Sequence, residues 1–204
     1  MKTLLTLLLF LFLTPSYAII NELGFDFGYD KQIYGTNKNN SIVSRSYSIG
    51  ISSYVFSTTA IDMSYSYTQD ITSNNDKYTI TGYTVDHLAD QQRVKSKVYS
   101  IGLKQMLAPR TSIIVPMISM GYARQITDSD SDSTYLNTSN NTTFSYISPT
   151  TVTKSNSVFG AFMLQLRLSE RLSLKASVKT IFPAFEFNEA KNNLKYSIGF
   201  SWLF

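Results

Sequence analysis

The chain has 204 residues, 18 Lys and Arg against 14 Asp and Glu, and a formal net charge of +4. So small a basic excess, with no basic run interleaved with aromatics, argues against nucleic acid as a partner, and the absence of Cys excludes a disulfide framework. Charged residues are scarce at 16% and aromatics abundant at 14%, with 14 Tyr, whose apolar ring and wet hydroxyl suit a boundary between water and an apolar phase.

The chain opens with Lys2, an apolar run from Leu4 to Leu13 broken by Thr6, then Pro15 and Ser16-Tyr17-Ala18. This reads as an export signal cleaved after Ala18, which leaves residues 19–204 as one domain. The run is too short to span a bilayer as a helix. No Cys follows the cleavage position, so no lipid anchor is expected there. Beyond it no apolar run approaches the roughly 18 residues that a membrane helix needs.

The remainder of the chain is a series of segments with period-two alternation, the mark of β-strands with one apolar face. Leu23, Phe25, Phe27 and Tyr29 alternate with Gly24, Asp26 and Gly28. The second strand holds Tyr47-Ser48-Ile49-Gly50-Ile51. In the third, Ile61, Met63, Tyr65 and Tyr67 alternate with Asp62, Ser64, Ser66 and Thr68. The fourth holds Tyr99-Ser100-Ile101-Gly102-Leu103. Ile114, Pro116, Ile118, Met120 and Tyr122 form one face of the fifth. The sixth, Val158 to Leu168, sets Leu164, Leu166 and Leu168 against Gln165 and Arg167. Gly160 breaks its phase, which calls for either a bulge or an apolar position on the inner face. In the seventh, Leu174, Ala176, Val178 and Phe182 oppose Ser173, Lys175, Ser177 and Lys179. In the eighth, Tyr196, Ile198, Phe200, Trp202 and Phe204 oppose Lys195, Ser197, Gly199 and Ser201. Tyr-Ser-Ile-Gly occurs in the second, fourth and eighth strands, which marks them as equivalent staves running in one direction.

The connections alternate in length. Short ones lie at Ser53–Thr58, Leu107–Arg110 and Ser169–Arg171, and long ones at Asp30–Ser41, Asp70–Gln92, Thr127–Asn156 and Pro183–Asn193. Within the long ones, Tyr78–Val85 alternates weakly, and Leu136 to Ile147 reads as a hairpin around Asn137–Thr143. A ten-stranded count is the alternative these segments raise. Their apolar residues are too few for a lipid-facing wall, so they read as strand extensions above it.

Eight alternating strands with short turns at one end and long loops at the other predict an all-β, closed, antiparallel, up-and-down transmembrane barrel. Its interior would carry Asp26, Asp62, Lys104, Arg167, Lys175, Lys179 and Lys195. Charges in a narrow lumen must be paired or hydrated, so this set predicts an ion-pair network that fills the barrel. The competing reading is a path for small anions, because bases outnumber acids. The outer face would carry a girdle of Tyr29, Tyr47, Tyr67, Tyr99, Tyr122 and Tyr196 at one boundary, with Trp202 and Phe204 at the other. A soluble β-sandwich needs no tyrosines at one level.

Two loop features invite a chemical reading. His87, the only histidine, follows Asp86, but neighbours on a strand point to opposite faces, so the pair reads as ordinary solvated loop. Asp128-Ser129-Asp130-Ser131-Asp132 has the alternate acids of a calcium loop without its turn glycine or closing Glu. It reads as a solvated acidic tip, and no catalytic residue, metal or cofactor is expected.

The alternating last strand ending on Phe204, the signal-like start and the loop asymmetry together resemble the small outer-membrane β-barrels of Gram-negative bacteria, the class of the OmpA transmembrane domain, OmpX, the attachment–invasion proteins and OmpW. No motif selects one family among them. The resemblance implies delivery through the barrel assembly machinery by way of the C-terminal strand, and an outer-membrane setting of lipid and lipopolysaccharide. It implies a non-enzymatic protein that anchors surface loops for envelope structure, adhesion or recognition. The alternative it carries is a narrow passive channel for small or hydrophobic solutes. A lipid A-modifying enzyme or protease is the third.

Overall fold

The computed structural model describes residues 20–35, 37–183 and 193–204. The predicted export signal lies outside the described residues, as does most of the predicted connection at 183–193. The described chain forms ten strands: β1 (Ile20–Tyr34), β2 (Asn40–Tyr54), β3 (Thr59–Asn74), β4 (Tyr78–Thr79), β5 (Val85–Met106), β6 (Ile114–Asn137), β7 (Thr142–Ile147), β8 (Thr151–Arg167), β9 (Leu172–Pro183) and β10 (Leu194–Leu203). The sheet order is β4-β5-β3-β2-β1-β10-β9-β8-β6-β7, and β5 also pairs with β6. That last pairing closes eight of the strands into a ring. The short β4 and β7 stand outside it, β4 on β5 and β7 on β6, above the ends of β3 and β8.

Every pairing is antiparallel, and the register fixes a tilt. Stepping across partners from Ile20 leads through Tyr54, Ala60, Lys104, Ser119, Ala161 and Lys179 to Lys195. Lys195 lies beyond Ile198, the partner of Phe27, so one circuit climbs well up β1. Such a stagger is what lets a sheet of eight tilted strands close on itself. The seam between the first and last strands is sealed by Asn21 and Phe204, each of which donates its N–H to the other's carbonyl at 2.9 Å.

Small side chains on the inner face make room for large ones. A Cβ on Gly24 would stand 2.8 Å from Lys175 Nζ, and one on Gly102 would stand 2.8 Å from Phe159 Cζ. β8 runs in phase without a bulge. Gly160 faces outward between Met120 and Thr180, and its neighbour Phe159 is the apolar residue on the inner face.

The long connections differ from the sequence-based expectation. The connections at Asp70–Gln92 and Thr127–Asn156 are largely strand: the hairpin expected at Leu136 to Ile147 forms between β6 and β7, and the pairing continues from it into the wall. β5 has 22 residues and β6 has 24. At about 3.3 Å per residue β6 is nearly 80 Å of strand, far more than a tilted wall crossing an apolar band of about 25 Å needs. The surplus stands up as a stem. Alternation of hydropathy marks only where one face meets an apolar phase. In the stem both faces are polar, while the backbone pairing continues. One bulge interrupts the β5–β6 ladder, between His87 and Ala89.

Candidate functional site

The inner face is layered from the short-turn end upward. First comes an apolar plug of Tyr54, Ala60, Met106, Val115, Met117, Met163 and Leu203. Met117 and Val115 are at most 1% exposed. Tyr54 stands in this layer with its ring under the Arg110 guanidinium, 4.1 Å from the centroid. Arg167 donates from Nη1 to the Arg110 carbonyl oxygen. Both arginines therefore belong to the turn end of the barrel.

The next layer is charged. Lys104 Nζ lies 3.4 Å from Glu22 Oε1 and 4.0 Å from Asp62 Oδ1, and it donates to Ser52 Oγ at 2.9 Å. Tyr54 Oη donates to Glu22 Oε2 at 2.6 Å, and Ser52 Oγ donates to Asp62 Oδ1 at 2.6 Å. Lys175 Nζ pairs with Asp26 Oδ2 at 3.0 Å, and Ser48 Oγ donates to the same oxygen at 3.1 Å. Gln165 Nε2 donates to Ser201 Oγ at 2.9 Å. Burial of this kind is tolerable only when each charge has a partner. Above it, Phe159 packs with Val98 and Ala123. Lys179 Nζ sits 4.7 Å from the Phe159 ring centroid and 3.4 Å from Ser100 Oγ. Higher still, where the lumen opens, Lys195 Nζ meets Asp70 Oδ2 at 3.4 Å, with Ser44 on the other carboxylate oxygen.

The structure thus places Asp26, Asp62, Lys104, Lys175, Lys179 and Lys195 on the inner face and Arg167 at its lower rim. Glu22, Asp70, Tyr54 and Arg110 belong to the same network and lie outside the predicted set. Glu22 shares parity with Gly24 and Asp26, and carrying that alternation one step back would have included it. Asp70 lay in a segment read as loop. A cavity of about 70 Å³ remains between Asp26, Asp62, Lys104, Lys175 and Lys179. That is room for water among these charges.

The outer face is apolar. Phe27, Ile49, Ile101, Leu103, Met120, Ile198 and Phe200 are all exposed. Such a surface has no place in water and matches a lipid-facing wall. Tyr29, Tyr47, Tyr99, Tyr122 and Tyr196 are exposed on it, Tyr67 is half-buried beside Tyr47, and Trp202 and Phe204 are exposed near the short turns. Tyr122 Oη donates to Asn156 Oδ1 at 2.6 Å.

In the stem, His87 is buried rather than solvated. It stacks on Tyr78 at 4.6 Å, meets Tyr135 edge-on at 5.5 Å, and its Nδ1 lies 3.2 Å from the Asp76 carbonyl oxygen. Tyr135 in turn stacks on Phe144. The bulge turns His87 inward, a step that strand parity alone does not foresee. Asp128, Asp130 and Asp132 are not a loop tip. They lie on one face of β6, opposite Lys95, Arg93 and Gln91 of β5, and Arg93 Nη1 approaches Asp130 Oδ2 at 3.9 Å. Among the described residues no group of three or more His, Cys, Asp or Glu is placed to hold a metal ion.

A closed ring of eight antiparallel strands, apolar outside and lined with charged and polar groups inside, defines the class of small transmembrane β-barrels. No family model and no curated protein matches the sequence. Among solved structures, the chain is similar to the N-terminal β-barrel domain of Pseudomonas aeruginosa OprF, with 12% identity and a TM-score of 0.49 over 91% of this chain and 96% of that one. It is similar to the outer membrane protein OprG of the same organism, with 11% identity and a TM-score of 0.49 over 91% and 95%. It is also similar to Ail, the attachment invasion locus protein of Yersinia pestis, with 10% identity and a TM-score of 0.43 over 91% and 97%.

Proposed function

We propose that this protein is a non-enzymatic barrel of a Gram-negative outer membrane that anchors a stem of strands at the cell surface. The filled lumen carries this reading. The Met117 and Met163 plug, the Glu22–Lys104–Asp62 layer and the Phe159–Lys179 layer succeed one another along the axis. With them in place the barrel is a solid stake. The short turns then face the periplasm, the stem faces outward, and lipopolysaccharide surrounds the outer half of the wall. The stem, with its exposed Tyr78, Tyr83, Tyr146 and Val152, is the part that meets surface ligands. His87, held between two tyrosine rings with Nδ1 on a backbone carbonyl, supports a structural role over a catalytic one.

Conductance tests the reading. Refolded protein in a planar bilayer at neutral pH should stay silent under applied voltage. Discrete, reproducible openings from the folded species would overturn it in favour of the narrow channel.

A further inference from the structure

The outer wall carries a row of unpaired cations immediately above the tyrosine girdle. On β5 the outward residues run from Tyr99 to Lys97, and on β6 from Tyr122 to Arg124 and Ile126. Ile126 pairs with Lys97 on one side and Lys154 of β8 on the other, and Arg124 sits one outward step below it. Lys97, Arg124 and Lys154 are all exposed, and no carboxylate of the described residues approaches any of them within 4.0 Å. The carboxylates begin further out: Asp128 faces Lys95, and Asp130 meets Arg93. Adjacent strands stand about 4.8 Å apart, so Lys97 and Lys154 are separated by roughly 10 Å across β6.

Directly below lies an apolar trough of about 630 Å³ on the same wall. Ile49, Met63, Tyr65, Tyr99 and Ile101 line it, with Arg124 at its upper end. A greasy groove with Arg124 on its lining and Lys97 one outward step above its Tyr99 is complementary to one kind of ligand, an acyl chain whose headgroup bears negative charge. Three cations spread over roughly 10 Å, two strand spacings, fit a headgroup with more than one phosphate better than a single phosphodiester. With the stem facing outward, the orientation on which this inference rests, the row sits in the outer leaflet. We infer that Lys97, Arg124 and Lys154 form a binding site for the phosphates of a lipopolysaccharide molecule, whose acyl chains lie in the trough below.

Fluorescent lipopolysaccharide titrated into the refolded full chain in zwitterionic detergent tests this, read by anisotropy. The unaltered chain should bind lipopolysaccharide, lose affinity steeply between about 50 and about 300 mM NaCl, and bind dephosphorylated lipopolysaccharide roughly tenfold more weakly or worse. The triple variant K97Q/R124Q/K154Q should weaken binding on the order of a hundredfold, since each cation near an anionic surface is worth close to a fivefold step. K31Q, on an outward position of β1 away from the row, should bind as the unaltered chain does. A heat-dependent mobility shift on gels reports that each variant is folded. Equal binding of the dephosphorylated lipid by the unaltered chain overturns the site, and so does a folded triple variant with unchanged affinity. A chain that is silent in bilayers yet indifferent to phosphate sinks this inference and leaves the anchoring role standing. Openings in bilayers, with phosphate-dependent binding intact, overturn the anchoring role and leave the site standing.

Discussion

Glu22 is the residue on which the lumen network turns. It is 1% exposed, holds Lys104 at 3.4 Å and accepts from Tyr54 at 2.6 Å. Removing it takes the acceptor from the buried Tyr54 phenol and leaves the buried Lys104 ammonium with Asp62, at 4.0 Å, as its one carboxylate among the described residues. Glu22→Ala should therefore lower stability by about 3–5 kcal/mol, read as a shift in the urea midpoint of the barrel in vesicles. The double change Glu22→Leu with Lys104→Met removes both charges, and it should recover most of that loss; a double variant as unstable as the single would show that the loss comes from the Tyr54 phenol and the packing around it, not from the Lys104 ammonium. Gly102 makes the complementary point about volume. A Cβ there would meet the Met120 carbonyl of the neighbouring strand as well as the Phe159 ring, so Gly102→Val should cost at least about 1–3 kcal/mol through overpacking, measured in the same assay. Lumen identity was partly legible: alternation assigns Asp26, Asp62 and Lys104 to the inner face. Which carboxylate meets which lysine was not, because Lys104 and Glu22 are brought together by the stagger of four strands.

Among the elements, β5 and β6 set the character of the molecule. Their lower halves belong to the wall and their upper halves to the stem, and the same backbone ladder runs through both. The stem is held by few apolar contacts, chiefly the stack of Tyr78, His87, Tyr135 and Phe144 around the bulge. His87→Ala removes the middle of that stack. Trypsin should then cut at Lys77 several-fold faster, while the urea midpoint of the barrel stays where it was, since local opening and global unfolding draw on different contacts. Equal loss of both would mean that stem and wall unfold as one unit. The wall half of each element was readable from its period-two pattern. The stem half was readable at its tip, where Leu136 to Ile147 reads as a hairpin and folds as one, but not below it, because Ser129, Ser131 and Ser133 alternate with Asp128, Asp130 and Asp132, and a strand that is polar on both faces looks like a loop.

At the scale of the whole molecule, the decisive quantity is how completely the ring is filled. Eight strands enclose an interior that side chains can just occupy, and here about 70 Å³ remains amid the charged layer. Phe159 spans the upper part of that interior, against Gly102 and under Lys179. Phe159→Ala should cost about 3–5 kcal/mol as a large-to-small change, and the barrel should still be silent in a planar bilayer, because the Met117 and Met163 plug closes the lower end independently. A conducting Phe159→Ala barrel would locate the barrier in that single ring.

The sequence by itself determined the wall: period-two alternation with aromatic residues on one face admits a sheet that separates lipid from a polar interior, and the count of alternating segments sets the number of staves. The repeated Tyr-Ser-Ile-Gly pattern fixed which staves run together. Only the tertiary structure decided the rest. The stagger of the closed ring chose the partners of Glu22, Asp26 and Asp70, the bulge beside His87 turned it into an aromatic stack, and pairing across β5, β6 and β8 gathered Lys97, Arg124 and Lys154 into one row. Each depends on register between strands, a quantity that one strand's own sequence does not contain.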